Sequence, residues 1–405
     1  MVVRQDTVVI GGGQAGLAMS AVLRDRGCDH VVLERHRVGE RWRSERWDSL
    51  RFQFPNWSIT LPGLRYAGED PDGFATAAEI GRLIESYAAG APVREHTEVL
   101  FLDRDGEGFR VTTNDDRWYA RQVVVATGPF QRPRIPQVAA QLPGHVVQTD
   151  PTRYHNPEVL PLGAVLVIGA GASGIQIAEE LVGAGRRVFL AISPHRRIPR
   201  RFRGRDVYWW LDRMGRFEQT VDTLPGRRWP PHTAVTGVNG GYDIDLRSLV
   251  RAGARVVGSV VGIRDSKIVL ADNANQILDD ADAAYLSFVE AARAFAPSIE
   301  EPLSDDDAVV PTGTPVLEAH EIDIDRERIT SVIWATGYEY DYDWLNLDVI
   351  GADRRPVQRR GVTSVPGLFF LGLHWMHTFK SGLLSGVGAD AQFIADRLLA
   401  GTRPT

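Results

Sequence analysis

The chain has 405 residues, 43% of them hydrophobic and 24% charged, with a formal net charge of −6 at pH 7; roughly 100 to 200 residues per domain predicts two or three domains. The acidic balance argues against a nucleic-acid partner, because gripping phosphate backbones needs an excess of cations. The single cysteine, Cys28, excludes an intramolecular disulfide, a Cys-x-x-Cys redox pair and a thiolate metal cluster, and with neither a charged-then-apolar leader nor an apolar run approaching about 18 residues, a cytoplasmic protein without a membrane span is expected.

The first predicted unit is "VVIGGGQAGLAMSAVL", opening at residue 8 and reading as strand, glycine turn and helix. Val8, Val9 and Ile10 are apolar without alternation, as a parallel strand covered on both faces requires. In Gly11-Gly12-Gly13-Gln14-Ala15-Gly16 the first glycine allows the tight turn. The next lets the main chain approach a pyrophosphate, and Gly16 lets helix and strand pack closely. The helix N-terminus then offers unpaired N–H groups to phosphate. Leu17, Ala18, Ala21 and Val22 line one helix face up to Gly27. Glu34 follows the strand "HVVL", about 20 residues on, where a carboxylate accepts ribose hydroxyls. The alternative is a structural turn with Glu34 as a surface charge.

Further along, "FRVTTND" and "RWYARQVVVATGP" read as strands joined by a turn at Asn114 to Asp116. The second ends in Ala126-Thr127-Gly128, a triplet that recurs at 335 to 337 in "ERITSVIWATGY". Between them "VLVIGAGASGIQIAEEL", residues 165 to 181, repeats the opening unit. Gly169-Ala170-Gly171-Ala172-Ser173-Gly174 matches the first turn, and Ile175, Ala178, Leu181 and Val182 match the helix face. The spacing of the two units far exceeds any solenoid period, so this is one βαβ unit used twice. The position equivalent to Glu34 falls near Ile192 and Ser193, directly before "SPHRRIPRRFRGR". Without a carboxylate there, Ser193, Arg196, Arg197 and Arg200 are expected to bind a 2′-phosphate, favouring NADPH over NADH. A solvated basic face and an anion patch are the alternatives.

Residues 207 to 320 are mixed. They hold aromatic "VYWWLD" and proline-rich "LPGRRWPPH", a helix at "DLRSLVRAG", a hairpin around "GIRDSKIVL", an alanine-rich helix at 282 to 296 and an acidic loop "EEPLSDDD". Trp209, Trp210 and Trp229 either wall a substrate pocket or fill a core. In the C-terminal "GLHWMHTFKSG", His374 and His377 share one face at helical spacing, yet no carboxylate stands at metal-ligand spacing and no metal is expected. One turn for each of two dinucleotides answers the duplication, and hydride can pass between a flavin in the first and a nicotinamide in the second. The expected fold class is α/β with two Rossmann-like dinucleotide-binding domains. Residues 1–158 and 326–405 form the FAD domain, and the inserted 159–325 forms the NADPH domain, with 207–320 as a candidate substrate lid.

These residues resemble the two-dinucleotide flavoproteins, and among them the class B flavin-dependent monooxygenases: flavin-containing monooxygenases, plant auxin-forming monooxygenases, N-hydroxylases and Baeyer-Villiger monooxygenases. "GERWRSERWDSLRFQFPNWSITLPG" looks like that family's Gly-x-x-Trp followed by an aromatic residue, Ser-Leu and a proline-containing stretch. The resemblance implies FAD and NADPH as cofactors, with a small-molecule substrate and molecular oxygen as reactants, and is compatible with a homodimer. It implies a C4a-(hydro)peroxyflavin that passes one oxygen atom to an amine, sulfur or carbonyl compound. It places Arg35, Arg41, Trp42, Trp47, Ser49 and Leu50 around the FAD. Ala126, Thr127, Gly128, Thr336, Gly337 and Gly372 should border the dinucleotides. Gln53 stands where many relatives have an asparagine beside flavin and nicotinamide, to hold the carboxamide or the hydroperoxide; the alternative is a core amide satisfied by backbone. His374 and Lys380 should return to the flavin ring, as packing or as a base. Leu142, Gly144 and Gln148 replace the Phe, Gly and His of the Phe-x-Gly-x-x-x-His motif, which stands against the Baeyer-Villiger and mammalian-type subclasses. A reductase without oxygen insertion and a non-enzymatic FAD and NADPH sensor are the competing readings; a disulfide reductase lacks its second cysteine.

Overall fold

In the computed structural model, residues 2–224, 233–306, 308, 311 and 313–401 are described. Two apolar β-branched strands organise it. Val8, Val9 and Ile10 are buried at the end of strand Val2–Ile10. This strand lies parallel between His30–Leu33 and Arg117–Val125. Residues Val123 to Val125 pair on their other edge with Leu368–Phe370, also in parallel, while the first half of Arg117–Val125 continues the antiparallel strands Val99–Asp105 and Gly108–Thr113. The predicted turn between Gly108–Thr113 and Arg117–Val125 falls at Asn114 to Asp116, where the Thr113 amide donates to the Asp116 carbonyl at 2.9 Å.

The second sheet runs Val147–Thr149, Ile329–Trp334, Ala164–Ile168, Val188–Ala191, Arg255–Val257, every pair parallel. Its side chains divide by parity. Val165, Val167, Val188 and Leu190 enter a core shared with Ile175, Ala178 and Leu181 of helix Ala172–Gly183. Leu166, Ile168, Phe189 and Ala191 enter another core, shared with Ile263, Ile268 and Ile322. The second cover is a small antiparallel sheet of Val260–Arg264, Lys267–Leu270 and Glu321–Asp323. Because a helical layer lies on one face and a β layer on the other, both strand parities must be apolar, and each fully buried Val or Leu adds about 1.5–3 kcal/mol.

The two sheets take their strands from places that the expected boundaries do not respect. Val147–Thr149 and Ile329–Trp334 were assigned to the flanking domain by the divisions at 158/159 and 325/326, yet both pair inside the second sheet. The reason is the Ala-Thr-Gly strand: each nucleotide turn needs a returning parallel strand beside it, and Ile329–Trp334 serves the second turn. The alanine-rich helix spans Ala274–Phe295 and so begins eight residues earlier than 282. The apolar face of Ala274, Ile277 and Leu278 is drawn into the core around Ile175. The predicted helix and hairpin stand at Leu246–Arg251 and Val260–Leu270.

Candidate functional site

The two glycine turns are built alike, atom for atom. The Gly11 amide donates to the Leu33 carbonyl at 2.8 Å, and the Gly169 amide to the Ala191 carbonyl at 2.9 Å. Gly11 and Gly169 sit at φ +112° and +117°, and a Cβ on either would strike the carbonyl oxygen of Ala126 (2.6 Å) or Ala335 (2.3 Å). A Cβ on Gly16 or Gly174 would lie 1.8 or 2.0 Å from the carbonyl of Gly11 or Gly169. Each Ala-Thr-Gly triplet therefore forms the backstop of its own turn, and only glycine permits that approach. Helices Gln14–Asp25 and Ala172–Gly183 start directly after, with Gly13 and Gly171 as N-caps. A Cβ on either cap would meet open space. Each helix thus presents unpaired N–H groups and the positive end of its dipole to a cradle of backbone, the arrangement a pyrophosphate needs.

The first turn opens into a cleft of about 320 Å³. Gly11, Gly13, Gln14, Ala15, Glu34, Arg35, Arg41, Trp42, Ala126, Thr127, Gly128 and Gly372 line it, as expected from the sequence. Glu34 accepts the Gly12 amide at 2.6 Å and the His36 amide at 2.9 Å, which fixes its carboxylate at the strand end. Gln14 donates to the Gly382 carbonyl at 2.7 Å and ties the C-terminal segment to the turn. Arg41 pairs with Glu45 at 2.6 Å. The lining residues not expected as site residues from the sequence include Arg46, Gln131, Asp341 and Trp344. Arg46 lies over the Trp42 ring at 5.2 Å and donates to the Glu45 carbonyl at 2.8 Å. Burial holds the Arg41 and Arg46 guanidinium groups below the ordinary arginine range. Among the described residues Arg46 has no carboxylate within ion-pair distance, so a half-buried cation faces the cradle without a counter-ion. The donor set suits a dinucleotide diphosphate.

Around the second turn, the hydroxyl of Ser193 lies 3.4 Å from the Ala170 amide. Arg196 is half-buried, and no ion pair joins it to a described residue. Arg197 and Arg200 correct the expectation of a four-residue phosphate site. Arg197 is 8% exposed and held by Asp243 (3.2 Å), Asp245 (3.7 Å) and Asp282 (2.8 Å). Arg200 is 2% exposed, pairs with Asp206 at 2.8 Å, donates to the Gln53 carbonyl at 2.7 Å and lies over the Phe74 ring at 4.2 Å. A cation buried this deeply must be paired from within, and these two are.

The run after Glu34 turns from one site to the other. Trp42 lines the first cleft, whereas Trp47 and Leu50, expected beside FAD, pack with Tyr154 and Val165 in the core of the second sheet. The Gln53 amide donates weakly to the carbonyls of Thr233 (3.3 Å) and Val235 (3.4 Å), the backbone-satisfied arrangement. Lys380 pairs with Glu218 and lies 3.8 Å from Asp212; His374 lines a separate cavity. The three expected catalytic residues therefore do not converge on the first cleft, and none lines it. Thr336 bonds the Arg134 carbonyl, and Gly337, at φ +88°, completes the second backstop. Trp210 is core, its indole N–H donating to the Phe202 carbonyl at 2.8 Å. Trp209 is sandwiched by Arg205 and Arg213, and Trp229 lies outside the described residues. Among the described residues no His, Cys, Asp and Glu group suits a metal, and no helix is long and apolar enough to cross a membrane.

Twin phosphate cradles, each closed by its own Ala-Thr-Gly strand, define a two-dinucleotide oxidoreductase. Residues 8–211 match the family model described as pyridine nucleotide-disulphide oxidoreductase. The chain is 34% identical over 97% of its length to an uncharacterized CzcO-like oxidoreductase of Geobacillus kaustophilus, covering 98% of that protein. It is 30% identical over 43% of its length to a probable indole-3-pyruvate monooxygenase, YUCCA1, of Arabidopsis thaliana, covering 44% of that protein. A flavin-containing monooxygenase from Stenotrophomonas maltophilia shares the fold, with TM-score 0.68 at 22% identity over 98% of this chain and 99% of that one. The chain belongs to the pyridine nucleotide-disulphide oxidoreductase family, and its two matched cradles suit two dinucleotides. Cys28, half-buried and alone, leaves it without the dithiol that gives the family its name.

Proposed function

We propose that this protein oxidises NADPH and uses molecular oxygen to transfer one oxygen atom to a small amine, sulfur or carbonyl compound. The observation that carries the reading is the pair of matched cradles in a chain with one thiol. Electrons delivered by a nicotinamide have no protein disulfide to receive them, and dioxygen is the outlet that the similarity to monooxygenases supports. FAD, when bound, supplies the centre that accepts hydride and reacts with oxygen.

The chain's own residues do the holding. Gly11 to Gly16 and Arg46 receive the diphosphate of FAD and Glu34 its ribose hydroxyls, while Gly169 to Gly174 receive the nicotinamide dinucleotide. Arg196 and Ser193 stand where a 2′-phosphate would lie. Trp42 lines the first cleft and packs edge-on against the buried Phe52 ring, with centroids 6.1 Å apart, so this wall of the cleft is apolar and excludes water. With isotopically labelled dioxygen and a panel of amines, sulfides and ketones, we expect one labelled oxygen atom per product molecule and one NADPH consumed. NADPH oxidation that yields only hydrogen peroxide, whatever the substrate, points to a reductase or oxidase.

Coenzyme choice rests on a narrower base than the sequence indicated. Arg196→Ala should raise KM for NADPH by about ten-fold and leave KM for NADH within two-fold, since a charge-assisted contact to the 2′-phosphate is worth roughly 1.5–3 kcal/mol when dry and less at a wet rim. Equal changes for both coenzymes would remove Arg196 from the phosphate site.

A further inference from the structure

A second cavity, of about 890 Å³, lies apart from both glycine turns and is lined by residues 353 to 362, the Leu373 to His377 segment, Phe393 and Arg397. Its size falls inside the roughly 300–1,000 Å³ of small-molecule sites. Its surface is divided by chemistry. Trp375 and Met376 are buried, and Val357, Val362 and Phe393 extend the apolar surface outward. The cations are sorted by their partners. Arg360 is held by Asp390 at 3.2 Å and Arg355 is near Asp353 at 4.0 Å, so both are already matched. Arg359 and Arg397 are exposed and have no carboxylate partner among the described residues; Arg397 rests on the face of Phe393 at 5.1 Å.

The backbone is strained at the same place. Trp375 is 6% exposed at φ +52°, a conformation that a bulky side chain rarely adopts and that collects at ligand-holding segments. The strain is fixed from outside by the inserted region, whose Val221 amide donates to the His377 carbonyl at 2.8 Å. Gly372 lines the first cleft and its chain neighbour Leu373 lines this cavity.

We propose that this cavity is a second ligand site, distinct from the two dinucleotide sites, for an amphipathic organic monoanion: an aryl or branched alkyl carboxylate. The apolar body packs on Trp375, Met376 and Phe393, and the carboxylate accepts from the two unmatched guanidinium groups, each able to donate a pair of N–H bonds. Asp222 and Asp353 also line the cavity and disfavour a second negative charge on the ligand.

The test is calorimetry and tryptophan fluorescence on the FAD-bound protein without NADPH, so that binding is read independently of turnover and of the oxygen-transfer reading. The probes are phenylacetate, its neutral amide phenylacetamide, and inorganic phosphate. Phenylacetate should saturate one site and quench or shift tryptophan emission, with the amide and phosphate each at least ten-fold weaker. The double variant Arg359→Gln/Arg397→Gln, at two exposed positions, should weaken phenylacetate by about ten-fold or more while its FAD content stays unchanged. Equal affinity for the amide, equal affinity for phosphate, an unaffected double variant, displacement by NADPH, or no saturation at millimolar phenylacetate would each overturn the proposal.

Discussion

Gly171→Asp protein will purify yellow and remain yellow when NADPH is added anaerobically, whereas Gly13→Asp protein will purify colourless. Both substitutions place a Cβ in open space. Both backbones are ordinary for an L-residue, with φ −85° at Gly13 and −73° at Gly171. Aspartate is also a favoured N-cap, so the helices gain rather than lose stability. What changes is the sign of the charge at the mouth of the cradle. A carboxylate about 4 Å from one phosphate charge costs about 4 kcal/mol at an effective dielectric of 20, on the order of a thousand-fold in affinity. Flavin absorbance per mole of protein and the rate of anaerobic bleaching separate the two turns, and unaltered bleaching in Gly171→Asp would remove the nicotinamide from the second turn.

Arg200→Met should cost about 3–5 kcal/mol in urea unfolding at pH 7, because it leaves a carboxylate without its cation in a buried place. The Asp206 side chain is 8% exposed. Burial already pushes its carboxyl above the usual range, against the opposing pull of Arg200. Without Arg200 only the Tyr208 amide and Arg201 still oppose the push. The native state then holds a proton more tightly than the unfolded chain does, so stability falls as pH rises from the ordinary carboxylate range through the raised native value. The penalty is fully absent only below the ordinary value, and the gap between variant and parent should narrow on acidification. Arg200→Met/Asp206→Asn should recover most of the loss at pH 7. A single variant within about 1 kcal/mol of the parent would show that the pair contributes nothing net.

The parts of this molecule that could be read from its sequence are those whose signals are local. Val8 to Gly16 and Val165 to Gly174 declare strand, turn and helix within ten residues, and the alternating destinations of Val165 to Ile168 in two cores follow from apolar continuity. Glu34 was legible because its distance from the turn is set by one helix and one strand. The arginines after Ser193 were not, because the carboxylates that claim Arg197 come from positions 243, 245 and 282. No spacing rule links such positions. Trp47 and Leu50 follow the same logic: the run is recognisable, but which core receives each side chain depends on how the second sheet meets it. Arg46, Gln131, Asp341 and Trp344 reach the cleft from three separate segments, with no shared pattern.

The backstops have a consequence for how the protein is made. The first turn presses against Ala126, and Gly372 sits so close to Ala15 that a Cβ would come within 2.4 Å of it, so the flavin end borrows a piece of chain from beyond residue 370. The second turn leans on Ala335. A nascent chain leaving the ribosome therefore carries two unfinished nests. A truncation before Leu368 removes the strand Leu368–Phe370 and the Gly372 contact with Ala15, and should lose flavin while the second sheet, which ends at Trp334, still pairs.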